Sequence, residues 1–267
     1  MVAHELCDPL RPLLAINLSS TAKGLRAAMQ PALAELRLQR QAAEAFAALC
    51  RLSLMQLREM VDLDLGQTYS RPLTLAHWRT LGHLIGCRAL PGLMVLVIDG
   101  ADNGDEGLAL LAAGLHRGGL PSLTRLALYN TQIGEQGAAD LATGLTKRAL
   151  PALKRLSLGR NQIGDAGLAA LAPTLRQLPR LEVLYLDNNQ IGDRGLASLL
   201  AEPMQGVLPS LSSLFLRSNQ ITDSGCAALA SALRNGALPA LGTLSLGDNS
   251  ASRVARDAAI AAVRYPR

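Results

Sequence analysis

The sequence predicts an α/β solenoid, a horseshoe with a parallel sheet lining its inside and helices along its outside. Three observations carry that prediction. A Leu-Pro pair followed by regularly placed leucines returns at Leu90, Leu120, Leu150, Leu178, Leu208 and Leu238, at intervals of 30, 30, 28, 30 and 30 residues. Each copy contains two hydrophobic periods, first of two residues and then of a helical turn. And 49% of the 267 residues are apolar while only 3% are aromatic, so the core must be built from leucine and alanine.

From the N-terminus, residues 1–56 do not repeat. The segments "TAKGLRAAM" and "ALAELRLQRQAAEAFAALCRL" read as helices bent near Pro31, and Ser53 is placed to cap a short helix, "LMQLREM". The region is expected to act as an amphipathic helical cap over the first repeat. A degenerate unit follows at residues 57–89. Leu63 and Leu65 form its strand, Thr68 takes a polar turn slot, and Leu75, Trp78, Leu81 and Ile85 form its helix face. Trp78, the single tryptophan, is expected in the core, sealing this unit against the N-terminal helices.

The regular units fill residues 90–249. One reads Leu150, Pro151, Leu153, Leu156, Leu158, Asn161, Ile163, Gly164, Asp165, Gly167, Leu168, Leu171. The alternation around Leu156 and Leu158 makes a short strand. Gly-Asp turns the chain, and Leu168, Leu171 and Leu175 line one helical face. Strand, turn, helix and return repeat in one sense, so successive strands must run parallel. A lone unit buries too little leucine to offset its lost chain entropy; stacking covers both sides of each leucine layer. Asp165, Asp193 and Asp223 recur at one slot, and each is expected to cap its own helix rather than hold a metal, since calcium requires six to eight converging oxygens. The last unit breaks after Asn249. Ser250 or Ser252 is placed to cap a final helix to about Val263, with Arg253, Arg256, Asp257 and Arg264 on its polar side, so residues 250–267 read as a C-terminal cap.

This motif, recurring in register over residues 90–249, closely resembles the leucine-rich repeat, in the long-repeat class typified by the ribonuclease inhibitor, NOD-like receptors and the GTPase-activating protein of Ran. The resemblance implies a ladder of amides at Asn161, Asn189, Asn219 and Asn249 that satisfies loop backbone groups. The same slot holds Thr131 and Ala101 in earlier units, so the turn at Ala101, Asp102 and Asn103 is expected to be the least regular. The stretch "PLRPLLAINLSSTAKGLRAAM" also resembles, more weakly, the later part of an F-box, at Leu13, Leu14, Leu18, Ser19, Lys23, Leu25 and Arg26.

Several function classes are disfavoured. Net charge is +5, but residues 90–249 hold 12 Lys/Arg against 13 Asp/Glu, so no basic stripe for nucleic acid is expected on the repeats. Cys7, Cys50, Cys87 and Cys226 are far apart and form no CxxC pair, which reads as reduced thiols in a cytoplasmic setting. The four histidines form no metal-binding pattern, and no GxSxG or P-loop occurs. No membrane span or secretory leader is read at either end. We therefore expect no catalysis, cofactor, metal or small-molecule substrate.

What varies between repeats is the inner face. Residues between the strand leucines are Val97, Ala127, Ser157, Tyr185, Phe215 and Ser245, and those after them include Tyr129, Asp187 and Arg217. Arg125 and Arg155 neighbour one another ahead of the pair, and Asp187 and Arg217 are placed to pair across strands. Tyr, Phe and Arg on a rigid surface are common binding hot spots. The reading is a non-catalytic protein-interaction module whose partner contacts Arg125, Tyr129, Arg155, Arg160, Tyr185, Asp187, Phe215 and Arg217. Alternatives are an F-box-like substrate-recognition subunit of a ubiquitin ligase, a GTPase regulator, or a structural subunit of a larger complex.

Overall fold

The computed structural model describes residues 23–50, 52–66, 73–117, 119–146, 148–201 and 208–264. Thr68 and the F-box-like positions Leu13, Leu14, Leu18 and Ser19 lie outside the described residues, as do the side chains of Lys23, Leu25 and Arg26.

Seven strands form one parallel sheet in strict chain order: β1 (Asp62–Leu65), β2 (Val95–Asp99), β3 (Arg125–Tyr129), β4 (Arg155–Ser157), β5 (Val183–Tyr185), β6 (Ser213–Phe215) and β7 (Thr243–Ser245). The register never slips: Leu63, Leu96, Leu126, Leu156, Leu184, Leu214 and Leu244 are consecutive partners. Each points to the helical side and is buried. A one-residue slip would turn every leucine to solvent, so burial fixes the register. The sheet is open, and the chain folds as the α/β solenoid that its repeats predict.

Nine helices are described. α1 (Lys23–Leu49) and α2 (Leu54–Glu59) precede the sheet, and α3 (Leu75–Gly86), α4 (Gly104–Arg117), α5 (Glu135–Gly144), α6 (Gly164–Leu175), α7 (Asp193–Leu200), α8 (Asp223–Arg234) and α9 (Arg253–Arg264) follow β1 to β7 in turn. α1 is a single helical run through Pro31, where two segments were expected; alanine, leucine, glutamine and arginine, all good helix formers, flank the proline on both sides. Its C-terminal part buries Ala43, Phe46 and Ala47, with Cys50 buried just past its end, and the helix packs against α2 and α3. Ser53 caps α2 in a reciprocal pair with Gln56. Ser252 rather than Ser250 caps α9, its hydroxyl accepting from the Ala255 N–H at 3.2 Å.

One continuous core lies between the sheet and helices α3–α9. Trp78 is 1% exposed and lies against α4 at Gly107, where a Cβ would come within 2.6 Å of the indole ring. Its packing therefore joins the degenerate unit to the repeat after it. Its indole nitrogen has no hydrogen-bond partner, so its contribution is apolar packing.

Side chains stitch each repeat to the next in two columns. In the inner column, Asn219 donates to the Leu186 and Leu216 carbonyls at 2.9 and 3.0 Å and accepts from the Asn189 and Ile191 N–H groups at 3.0 Å each. Asn161 donates to the Leu128 and Leu158 carbonyls and accepts from the Thr131 and Ile133 N–H groups. Asn189 donates to the Leu158 carbonyl and accepts from the Ile163 N–H; Asn249 donates to Leu216 and accepts from Ile221. At the turn after β2 the slot holds buried Ala101, and Asn103 adopts a left-handed φ of 61° where Ile133, Ile163, Ile191 and Ile221 stand in later repeats. Among the described residues, the adjacent turn is where a hydroxyl takes the slot, with Thr131 Oγ1 sharing the Asn161 carbonyl oxygen at 3.3 Å.

The second column corrects an expectation. The repeated aspartates do not cap their own helices; each caps the helix of the following repeat. Asp165 accepts from the Gly192 and Gly195 N–H groups at 2.7 and 2.9 Å, Asp193 from the Thr222 N–H at 2.8 Å, Asp223 from the Ser252 N–H at 2.5 Å, and Asp105 from the Gly134 N–H at 2.7 Å. The reason is position. Each Asp stands inside the first turn of its own helix, so its carboxylate projects sideways onto the next helix start, where N–H groups lack intrahelical partners. A glycine of the receiving repeat makes room for three of these carboxylates: a Cβ at Gly137, Gly195 or Gly225 would crowd the Oδ1 of Asp105, Asp165 or Asp193, at 2.6 Å for Gly195 and Asp165.

Candidate functional site

The concave face is formed by strand side chains pointing away from the leucine core. Three rows cross it. The first runs Asp62, Val95, Arg125, Arg155, Val183, Ser213, Thr243; the second runs Asp64, Val97, Ala127, Ser157, Tyr185, Phe215, Ser245. A third begins with the partners Asp99 and Tyr129 and continues past the short strands through Gly159, Asp187, Arg217 and Gly247.

Tyr185 and Phe215 are register partners on β5 and β6. Their rings stack with centroids 4.5 Å apart and planes 10° from parallel. Parallel neighbours at the ~4.8 Å strand spacing hold the rings face to face, and both remain partly exposed. Tyr129 lies on its side against Gly159, where a Cβ would approach its ring to 3.2 Å. The Arg160 guanidinium stands 5.5 Å from the Tyr129 centroid, a cation–π contact. Gly159 thus permits the Tyr129 ring to lie toward β4 and meet Arg160.

Asp187 and Arg217 do not pair through their side chains as expected. Asp187 Oδ1 accepts from the Arg217 backbone N–H at 2.9 Å, while the Arg217 guanidinium turns onward to Asp248 Oδ2 at 2.7 Å. β6 ends at Phe215, so the Arg217 N–H projects toward the preceding repeat and takes the carboxylate first. Burial pushes the Asp187 carboxyl up; the backbone N–H and the Arg217 charge pull it the other way without overcoming burial. Ala127, expected on the open face, is 4% exposed: its methyl does not reach past its neighbours.

Arg125 and Arg155 are adjacent, exposed register partners. Sequence reasoning missed two features of this face. Asp248, the ion-pair partner of Arg217, was one of several residues following the strands, with nothing in the repeat to single it out. Asp62 and Asp64, both exposed on β1, make the first strand acidic; the signal "DLDL" was there, in a unit too degenerate to be aligned for its inner face. Among the described residues, no three His, Cys, Asp or Glu side chains converge as a metal site, and no helix is long and apolar enough to cross a membrane.

The family models agree with this architecture. A family model for two copies of leucine-rich repeats matches residues 151–197, and one for a single leucine-rich repeat matches residues 207–230. Among solved structures, the fold is similar to the leiomodin-1 actin-binding site 2, at 15% identity and a TM-score of 0.44, over 54% of this chain and 80% of that one. No curated protein matches. With consecutive parallel strands, an asparagine following each of the last four, and matched leucine-rich repeats in their midst, the chain has the fold of a leucine-rich repeat solenoid.

Proposed function

We propose that the protein is a non-catalytic interaction module that holds a protein partner on its concave face. Repeats of this family generally make interaction surfaces rather than active sites. The observation that carries the reading is the stacked Tyr185–Phe215 pair. Two large rings stay partly exposed on a sheet whose backbone is fixed by register, so they offer contact area with little conformational entropy left to lose. Arg155, Arg160 and Arg217 border them with charged donors, and Arg125, Tyr129 and Asp187 extend the surface. The scattered cysteines support a cytoplasmic setting for this activity.

The test is a Tyr185→Ala/Phe215→Ala protein used as bait in affinity purification with mass spectrometry. The expected result is loss of the partners that wild type captures, with circular dichroism unchanged. A folded double variant that retains every wild-type partner at equal yield would overturn the reading.

A further inference from the structure

The concave face is polarised along the solenoid. On β1 and β2 it is acidic: Asp62 and Asp64 are exposed, and one carboxylate oxygen of Asp99 is enclosed without a hydrogen-bond partner. On β3 and β4 it is basic: Arg125 and Arg155 stand side by side, and Arg160 sits over Tyr129. On β5 and β6 it is aromatic.

The arginines are the informative part. Like charges directly opposite on neighbouring strands are unfavourable. At or beside the strands, two cations are neutralised: Lys154 reaches Glu182 at 2.9 Å and Arg217 reaches Asp248 at 2.7 Å. Among the described residues, Arg125, Arg155 and Arg160 have no ion-pair partner. Three guanidinium groups without an ion-pair partner, clustered on adjoining repeats beside the aromatic pair, form a site to which another molecule can bring the counter-charges.

On the reading of the concave face as the partner site, we propose that the partner presents an acidic segment followed by an apolar side chain. Its carboxylates lie on Arg125, Arg155 and Arg160, and its apolar residue lies on Tyr185 and Phe215. The centres of the two subsites are two strand spacings apart, about 10 Å, which an extended chain covers in about three residues. The carboxylates of β1 and β2 repel the acidic residues and so set which way the segment runs. The same carboxylates, with Asp187 and Asp248, weigh against a nucleic acid, whose phosphates would meet them all along the face.

The test uses a random dodecapeptide library displayed on phage and selected on the wild-type protein. Enriched peptides are synthesised with a fluorophore and titrated by anisotropy against wild type, Arg125→Glu/Arg155→Glu and Tyr185→Ala/Phe215→Ala. Enrichment of Asp or Glu about three residues from an aromatic or aliphatic residue is expected. The charge-reversed variant should then bind more than about tenfold more weakly, with affinity falling as salt rises. Replacing the peptide's acidic residues by lysine should restore binding to that variant, which separates lost charge from lost fold. Peptides that need Tyr185 and Phe215 but carry no acidic preference would overturn this inference and leave the concave reading standing. Peptides indifferent to both double variants, or no enrichment at all, would overturn both. Displacement of the selected peptides by single-stranded poly(U) at lower concentration than by unlabelled peptide would replace the acidic segment with nucleic acid.

Discussion

Asn219 and Asp165 each bridge two repeats through side-chain-to-backbone hydrogen bonds, but they sit in different surroundings. Asn219 is 7% exposed and both halves of its amide are occupied, with one carbonyl and two N–H groups depending on it alone and a second carbonyl shared with Asn249. Asp165 is half-buried at the helix starts and serves two N–H groups with one oxygen. Water can replace Asp165 for its dependants; it has no path to those of Asn219. The inner column is therefore expected to dominate stability, while the outer one orders helix starts at lower cost.

The largest effect expected follows from that contrast. Asn219→Ala strands three buried backbone groups, the Leu186 carbonyl and the Asn189 and Ile191 N–H groups, while the Leu216 carbonyl keeps Asn249; leaving even one unsatisfied costs about 1–3 kcal/mol. A loss of about 3 kcal/mol or more in urea denaturation is expected; a loss under about 1 kcal/mol would show that the buried column is dispensable. Next is Asp165→Ala, which removes a helix cap and is expected to cost about 1 kcal/mol. It forms an informative cycle with Gly195→Ala, whose added methyl collides with the Asp165 carboxylate. The double variant should be less destabilised than the sum of the single ones, because removing the carboxylate relieves the collision. Additivity would mean that the glycine is retained for another reason. The smallest effect is a gain. Thr131→Asn places an amide in the buried slot that now holds a hydroxyl and is expected to stabilise by about 1 kcal/mol, read as a rise in the denaturation midpoint. A loss would show that the turn at Ala101–Asn103 cannot accept the ladder.

The two columns also show what a sequence reveals. Leucine spacing states which residues are inside, and strands, helices and parallel order follow, because a slip in register would expose every leucine at once. The asparagine column was legible as a recurring residue, with its role implied by family resemblance. The aspartate column recurs just as regularly, but its target was misread. Helix capping is usually local, and nothing in one repeat says that its carboxylate reaches a neighbour about 30 residues away. The same limit holds on the concave face. That Tyr185 and Phe215 occupy one slot on adjacent strands follows from the repeat; that Arg217 turns from Asp187 to Asp248 depends on where β6 ends and which acceptor its backbone claims first.

The side-chain stitches described between repeats share one property: each spans a single boundary and none reaches beyond it. The array is thus a string of interchangeable links. Cutting the chain at equivalent points of two neighbouring units and rejoining it removes one carboxylate, one amide and their recipients together, leaving no donor or acceptor stranded. Such a chain can be shortened or lengthened by whole units, and so a binding surface of this kind can change its reach without having to reinvent its fold.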